Sequence, residues 1–513
     1  MNRTAYLLLA RIACAVALLG ATVAVPAAAQ TGQRQLVIVI DQEPATLDPA
    51  FALSQPSTEP LMSNIEETLI GVDHNGRPKM TVANWVISSD GKTVDFHIRP
   101  GIKFSTGDPL TAEDVVFSFD RTMANSANFR GFYKANIDHV EAVNPLTARF
   151  VFKTPNVTVV NERSIYLASK AYHDRVGEQT FFDHPVGTGP YKLVDYKRGQ
   201  YADLEANANY WGGAPQVKRA RIYFIKDDAT RAAKLQSGEA DLISSAPWNT
   251  IAAFEKAGDK VVSVPTFPFI AINFQTFNPN VPWAKLKVRQ AMAHAIDGDA
   301  IAKGLLNGIP SREPLLSVGE LGYDAGLKNY SYDPTLAKKL LAEAGYPNGF
   351  TMPLYWPQTY YGMRETAEAV ALYLKAVGIT VNVNQVETIQ NQEMLGKSSK
   401  DPNFVYIQLR AMPFSNYNDP ASALYFTLSI HGATTTYKPT DPKFEELVDK
   451  SITIFDAGQR TAVIRQADRM LYDDVGIIGI WHAATQYVMK PDVSFTPVAH
   501  QLPLMYVKDI RLK

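Results

Sequence analysis

The sequence is almost free of cysteine: one residue in 513, Cys14, and it lies in an apolar stretch near the N-terminus. Beyond that stretch, disulfides, thiolate catalysis and cysteine-ligated metals are excluded together. A surplus of charge of either sign is missing too, with 50 Lys and Arg against 51 Asp and Glu. No basic excess favours nucleic acid or an anionic membrane surface. After residue 30 no apolar run approaches the length of a membrane span.

Reactive motifs are equally scarce. There is no G-x-S-x-G and no H-E-x-x-H, and the "GKSS" at 396–399 has Asn391 where a Walker loop needs its first glycine. The pairs Glu66-Glu67 and Asp473-Asp474 are adjacent in sequence, a spacing that turns side chains apart and does not build an acid–base dyad. His482, beside Trp481 in an apolar run, is read as a packed core residue. The residues therefore indicate no catalytic centre, no metal and no cofactor. An exported hydrolase, acting on peptides or glycans with carboxylates that the fold brings together from distant segments, stays open as the alternative.

What is present begins with a leader. Arg3 and Arg11 precede or interrupt "YLLLARIACAVALLGATVAV", and Ala27-Ala28-Ala29 supplies small residues before Gln30. That pattern predicts a secretory signal peptide over residues 1–29, cleaved near Ala29, and a periplasmic destination. A chain of this length should divide into two or three domains, and the 32 prolines, 24 tyrosines and 24 phenylalanines suit ordered loops and aromatic-lined clefts.

Periodicity gives the elements. Leu36 to Ile40 reads as a buried strand, and residues 85–104 as two alternating strands around an Asp90-Gly91 hairpin turn. Thr111 with Asp114 marks a helix start, and 137–153 alternates again, so this region reads as a compact α+β unit. After residue 285 helices dominate. Asp333, Pro334 and Gly345 mark the start and stop of one, and "GMRETAEAVALYLKAVG" leads across Gly378 into "ITVNVNQV", the sequence of an α/β layer with a largely parallel sheet. The glycine-rich "PVGTGPY" (185–191) invites a phosphate-loop reading. Pro190 removes a donor at once and strand pattern follows instead of a helix, so these glycines are expected to steer the backbone only.

Together "ATLDPA" (45–50), the stretch 85–119, "PVGTGPY", "NANYWGG" (207–213), "SGEADL" (237–242), "VRQAMAHAID" (288–297), "YDPTLAKKLLAEAGYPNGF" (332–350) and "GITVNV" (378–383) resemble the extracytoplasmic solute-binding proteins of the peptide/nickel/opine class, which serve ABC importers. The resemblance implies a mixed α/β, two-lobed binding protein of type II with an inserted subdomain. Lobe I would comprise 30–77, 186–285 and 485–513, the insert 78–185, and lobe II 286–484. It further implies a monomer that captures a peptide or peptide-like solute between its lobes and hands it, unaltered, to ABC permease subunits.

Site residues follow from the same resemblance. In "LRAMPFSNYNDP" (409–420), Arg410 matches an arginine of the oligopeptide binders and is the candidate for a ligand carboxylate. Asn416 stands where those proteins carry an acid for the peptide's amino group, and Asp419 lies close enough to substitute, its competing role being a turn cap ahead of Pro420. Thr388 falls near a position where they carry tryptophan. An amide cannot balance a buried ammonium, so a modified peptide, an opine-like conjugate or another amide-bearing solute suits Asn416 better. Trp248, Trp356, Tyr360, Tyr361, Tyr133 and Phe51 are candidate aromatic walls, each weighed against ordinary packing.

Overall fold

The computed structural model describes residues 34–51, 55–74, 77–125, 136–161, 165–305, 315–316, 320–357, 362–398, 401, 403–412, 419–430, 435–498 and 504–513. The leader lies outside them. Its strands, in chain order, are β1 (Leu36–Ile40), β2 (Ile70–Val72), β3 (Pro78–Met80), β4 (Ala83–Ile87), β5 (Thr93–Ile98), β6 (Ile137–Asn144) and β7 (Thr147–Phe152). There follow β8 (Tyr191–Lys197), β9 (Tyr201–Ala206), β10 (Arg219–Phe224), β11 (Leu242–Ile243) and β12 (Lys260–Phe274). The chain closes with β13 (Phe350–Pro357), β14 (Ile379–Val386), β15 (Ile407–Met412), β16 (Ile477–Met489), β17 (Val493–Ser494) and β18 (Arg511–Leu512).

Ten strands form one continuous sheet in the order β14-β13-β15-β12-β16-β11-β1-β10-β9-β8. The helix-to-strand unit across Gly378 is parallel as expected, β13 against β14, and β13 also lies parallel to β15. The sheet as a whole is mixed, because β12 and β16 enter antiparallel to their neighbours. β4, β5, β7 and β6 make a separate antiparallel sheet, in which the Asp90-Gly91 turn joins β4 to β5.

Strand alternation places a core on each face of the long sheet. At the β8 end, Leu36, Ile38, Tyr191, Leu204 and Ile222 gather on one side and Val39, Leu235, Ile243 and Phe254 on the other. At the β14 end, Ile270, Ile272, Leu354, Trp356 and Leu409 build one core, and Phe269, Ala271, Met412, Leu447 and Leu471 the opposite one. The four-stranded sheet has its own core of Val94, Phe96, Phe119 and Phe150, packed under the helix Ala112–Asn125. That helix starts as the sequence indicated, with one refinement. The Asp114 carboxylate accepts from both the amide and the hydroxyl of Thr111, each at 2.8 Å, and from the Lys170 amide at 2.9 Å.

Only β12 and β16 serve both ends of the sheet. Val264 packs in a core at the β8 end, while Phe269 packs at the β14 end. Tyr487 and Ile477 divide in the same way along β16. Between these zones the ladder slips: Pro265 faces Ala484 and Phe269 faces His482, so β12 takes twice as many steps as β16. Two prolines, Pro265 and Pro268, fall in this short interval of β12 and cannot donate to the ladder.

The stretch 185–191 is a backbone contact. A Cβ on Gly187 would lie 2.1 Å from the Ile65 carbonyl oxygen, and one on Gly189 would lie 2.6 Å from it. The Gly189 amide donates to that carbonyl at 2.9 Å, Tyr191 N donates to Asn64 O at 2.9 Å, and Asn207 Nδ2 holds Gly189 O at 2.8 Å. These amides are committed within the protein. The glycines are required by close approach of two chains, not by a phosphate.

Candidate functional site

Alternation along β15 decides what each residue meets. Ile407 and Leu409 point into the Trp356 core, while Gln408, Arg410 and Met412 share the other face. On β12 the partners of those three are Asn273, Ala271 and Phe269. Tyr355 of β13 stands opposite Gln408 on its other side. One sheet face thus carries an arginine and two amides in a setting of hydrocarbon, tyrosine and the His482 imidazole stacked on Phe269.

Several atoms of that patch are buried without a protein hydrogen-bond partner: Arg410 Nη1, Gln408 Oε1, and both amide atoms of Asn273. Each such group costs roughly 1–3 kcal/mol if left unpaired in the working state. Burial pulls the Arg410 pKa below the ordinary arginine value, and among the described residues the Tyr406 phenol is the titrating neighbour that opposes it. Beside the patch, Asn391 Oδ1 takes both the Tyr406 hydroxyl at 2.8 Å and Gln408 Nε2 at 2.6 Å. Tyr406 stacks on Tyr355 with centroids 5.6 Å apart.

The other residues nominated from sequence do not gather here. Trp356, on β13, points into the opposite core and is 3% exposed. Trp248 opens a 3-10 turn and packs into the same core as Trp356. Phe51 lies under the Arg121 guanidinium, 5.2 Å from it, and edge-on to Phe182 at 5.8 Å. Asp419 is engaged within the protein, one carboxylate oxygen by Arg460 and the other by the Ala421 amide at 3.0 Å. That is the turn-capping role weighed from its place before Pro420, reinforced by an ion pair. Asn416, Tyr360, Tyr361 and Tyr133 lie outside the described residues. Asn273, Gln408 and Tyr406 were not singled out from the sequence, and Asn391 was noted only as a departure from a Walker loop. Their only linear signal was polarity inside strand or helix patterns.

Two other buried acids stand away from this face. Glu67 sits beneath the 185–191 turn and accepts from Thr188 at 2.9 Å and Trp211 Nε1 at 2.8 Å. Desolvation outweighs these donors and raises its pKa to about 7. Glu66 faces Asp48 and Arg121 instead; burial, then the Asp48 charge, hold its carboxyl well above the usual range. The neighbouring acids indeed face apart. His482 stacks on Phe269 at 5.2 Å, and Gly396, Lys397 and Ser398 of "GKSS" end the helix Thr388–Ser398. Among the described residues no group of three or more His, Cys, Asp or Glu could hold a metal ion.

Residues 77–453 match the family described as bacterial extracellular solute-binding proteins, family 5 Middle. The chain belongs to that family. The glutathione-binding protein GsiB of Pectobacterium atrosepticum is 31% identical over 393 residues, covering 74% of this chain and 75% of that one. HbpA2 from Haemophilus parasuis superposes with a TM-score of 0.80 at 25% identity, over 94% of this chain and all of that one. NikA from Brucella suis, solved with Fe(III)-EDTA, has a TM-score of 0.82 at 23% identity, again over 94% of this chain and 100% of its own. The fold is the mixed α/β, two-lobed binding-protein fold of this family with an additional inserted subdomain. Its members are extracytoplasmic substrate-binding components of ABC importers, and the hydrolase alternative gains no support. Among the described residues no helix is long and apolar enough to cross a membrane.

Proposed function

We propose that this protein captures a carboxylate-bearing peptide or peptide-like solute between its lobes in the periplasm. It then delivers the solute unaltered to an ABC permease, after cleavage of the leader near Ala29. The observation that carries this reading is Arg410: a half-buried residue whose Nη1 is buried with no protein partner, on a face where no acid among the described residues acts on it. A charge held in that way calls for an anion from outside the chain. The 31%-identical relative is named for glutathione, a peptide with free carboxylates.

The lobe assignment rests on the cores. Those drawn from residues 36–65, 191–264 and 487–510 support lobe I, and the core built from 69–167 supports the insert. This proposal takes the change from one lobe to the other to fall inside β12, between Val264 and Phe269, because those residues pack in different cores; the boundary read from sequence is at residue 285. The ladder slip there is the hinge of this proposal.

Affinity purification of the protein followed by mass spectrometry of the released solute tests the reading, with glutathione and mixed short peptides added in titration calorimetry. Recovery of an unchanged acid with saturable binding is expected; steady release of a cleaved product would overturn it. Arg410→Ala should weaken a carboxylate guest by roughly 2–5 kcal/mol, the usual effect of truncating one member of a buried charge pair. Equal affinity in the variant would remove Arg410 from the site.

A further inference from the structure

The carboxylate reading leaves part of the patch unexplained. Beyond Arg410 Nη1, the face holds one buried donor without a partner, Asn273 Nδ2, and two such acceptors, Asn273 Oδ1 and Gln408 Oε1. The orientation of Gln408 is set by chemistry. Asn391 Oδ1 already takes the Tyr406 hydroxyl and then Gln408 Nε2, so the oxygen of Gln408 is the end left over. Asn273 and Gln408 are direct cross-strand partners, and Arg410 follows two residues along β15. Opposed side chains start about 5 Å apart. Two strand residues cover about 6.7 Å, roughly what two residues of an extended guest would span.

Three kinds of guest group can be compared with this set. An ammonium brings donors only: it would leave Asn273 Nδ2 unpaired and place a second positive charge beside Arg410. A second carboxylate brings acceptors only, and would leave Asn273 Oδ1 and Gln408 Oε1 unpaired. A peptide amide brings one of each kind, a C=O for the donor and an N–H for one of the two acceptors; it leaves one acceptor to water, as many unpaired groups as the ammonium leaves, but adds no charge beside Arg410. Ala271, the residue facing Arg410, is small and takes no polar part, so nothing on β12 competes for the guanidinium.

We infer that Asn273 and Gln408 form an amide-reading subsite beside Arg410, so that the preferred guest carries a carboxylate and, within two residues of it, a peptide or other amide group, with no requirement for a free amine nearby. This rests on the carboxylate reading of Arg410 and adds the part of the guest that is selected next to it. The two residues act by positioning and selecting the solute, not by reacting with it.

The test compares three pools of N-acetylated dipeptides with the same side chains, presented to the purified protein and read by size exclusion and mass spectrometry. The first pool keeps the terminal carboxylate, the second has it amidated, and the third replaces the last amide by an ester, which removes the N–H and weakens the carbonyl acceptor. The expected result is retention of the first pool, loss of the second, and about tenfold weaker retention of the third. Asn273→Leu should bind the acid and ester pools alike, whereas wild type separates them. Because the ester comparison uses the unmodified protein, it stands even if the variant misfolds. If the ester pool binds as well as the amide pool while amidation abolishes binding, Asn273 pairs only with ordered water; the subsite is overturned and the carboxylate reading survives. If no pool is retained, both are overturned.

Discussion

Asp468 shows how much one buried carboxylate can weigh in the stability of this protein. It lies on the helix Ala457–Asp473, 1% exposed, with Oδ1 unpartnered. Desolvation, then the charge of Asp324, lift its pKa from an ordinary 3.8 to about 7. Between those values the folded protein holds a proton that the unfolded chain releases, so stability falls as pH rises through that window. The loss is complete above about pH 7 and amounts to up to about 4 kcal/mol, at roughly 1.4 kcal/mol per unit. Asp468→Asn is therefore expected to raise the melting temperature at pH 8, with the gain fading toward pH 4. A gain independent of pH would show that the carboxylate is not the cause. At this scale the sequence was least legible. Arg410 was visible because a motif surrounds it, but the polarity of Asn273 and Gln408 acquires meaning only when strand pairing sets them opposite each other. Trp356 shows the converse: its aromatic character suggested a cleft wall, and alternation along β13 turned it inward.

Among the elements, the 185–191 turn gives the clearest test of local reasoning. Its glycines were assigned to chain direction because a proline and then a strand follow, and the backbone hydrogen bonds to Ile65 and Asn64 supply the mechanism. A methyl on Gly189 would meet a carbonyl oxygen, which is rigid. Gly189→Ala should cost about 1–3 kcal/mol in urea unfolding. Gly396, in a helix and with open space around its Cβ, is the control: its alanine variant should be neutral or slightly more stable. Equal behaviour of the two would remove close approach as the explanation. Helices with marked ends were similarly plain in the sequence. Asp333 caps the helix Pro334–Glu343 by accepting from the Thr335 and Leu336 amides, and Gly345 follows at φ 91°. What periodicity could not reveal was strand order, since β12 and β16 pair across more than 200 residues of chain.

For the whole molecule, two strands carry both ends of a ten-stranded sheet and slip against each other midway. The proposed closure should use that slip, since a broken ladder bends at less cost than an intact one. Small-angle scattering is expected to show a smaller radius of gyration on addition of a retained peptide pool, and hydrogen exchange to slow at residues 266–269 and 482–484. Saturable binding with unchanged scattering and unchanged exchange would mean recognition without closure. The two-lobed class was readable from the ordered set of motifs, none of them specific alone. The strand proposed to join the lobes was not singled out from the sequence, because Pro265 and Pro268 interrupt the donors along a strand that nonetheless continues from Lys260 to Phe274.

The alternation of β15 has a last consequence. Gln408 and Arg410 lie on the face of the proposed site while Ile407 and Leu409 face hydrocarbon, so pairing shifted by one position would drive Arg410 among aliphatic side chains and bring Leu409 to the patch. Capacity to bind an acid is then also a certificate of correct assembly. A mispaired chain fails as a carrier in the same act that makes it unstable, and a partly misfolded receptor cannot compete for solute with a sound one.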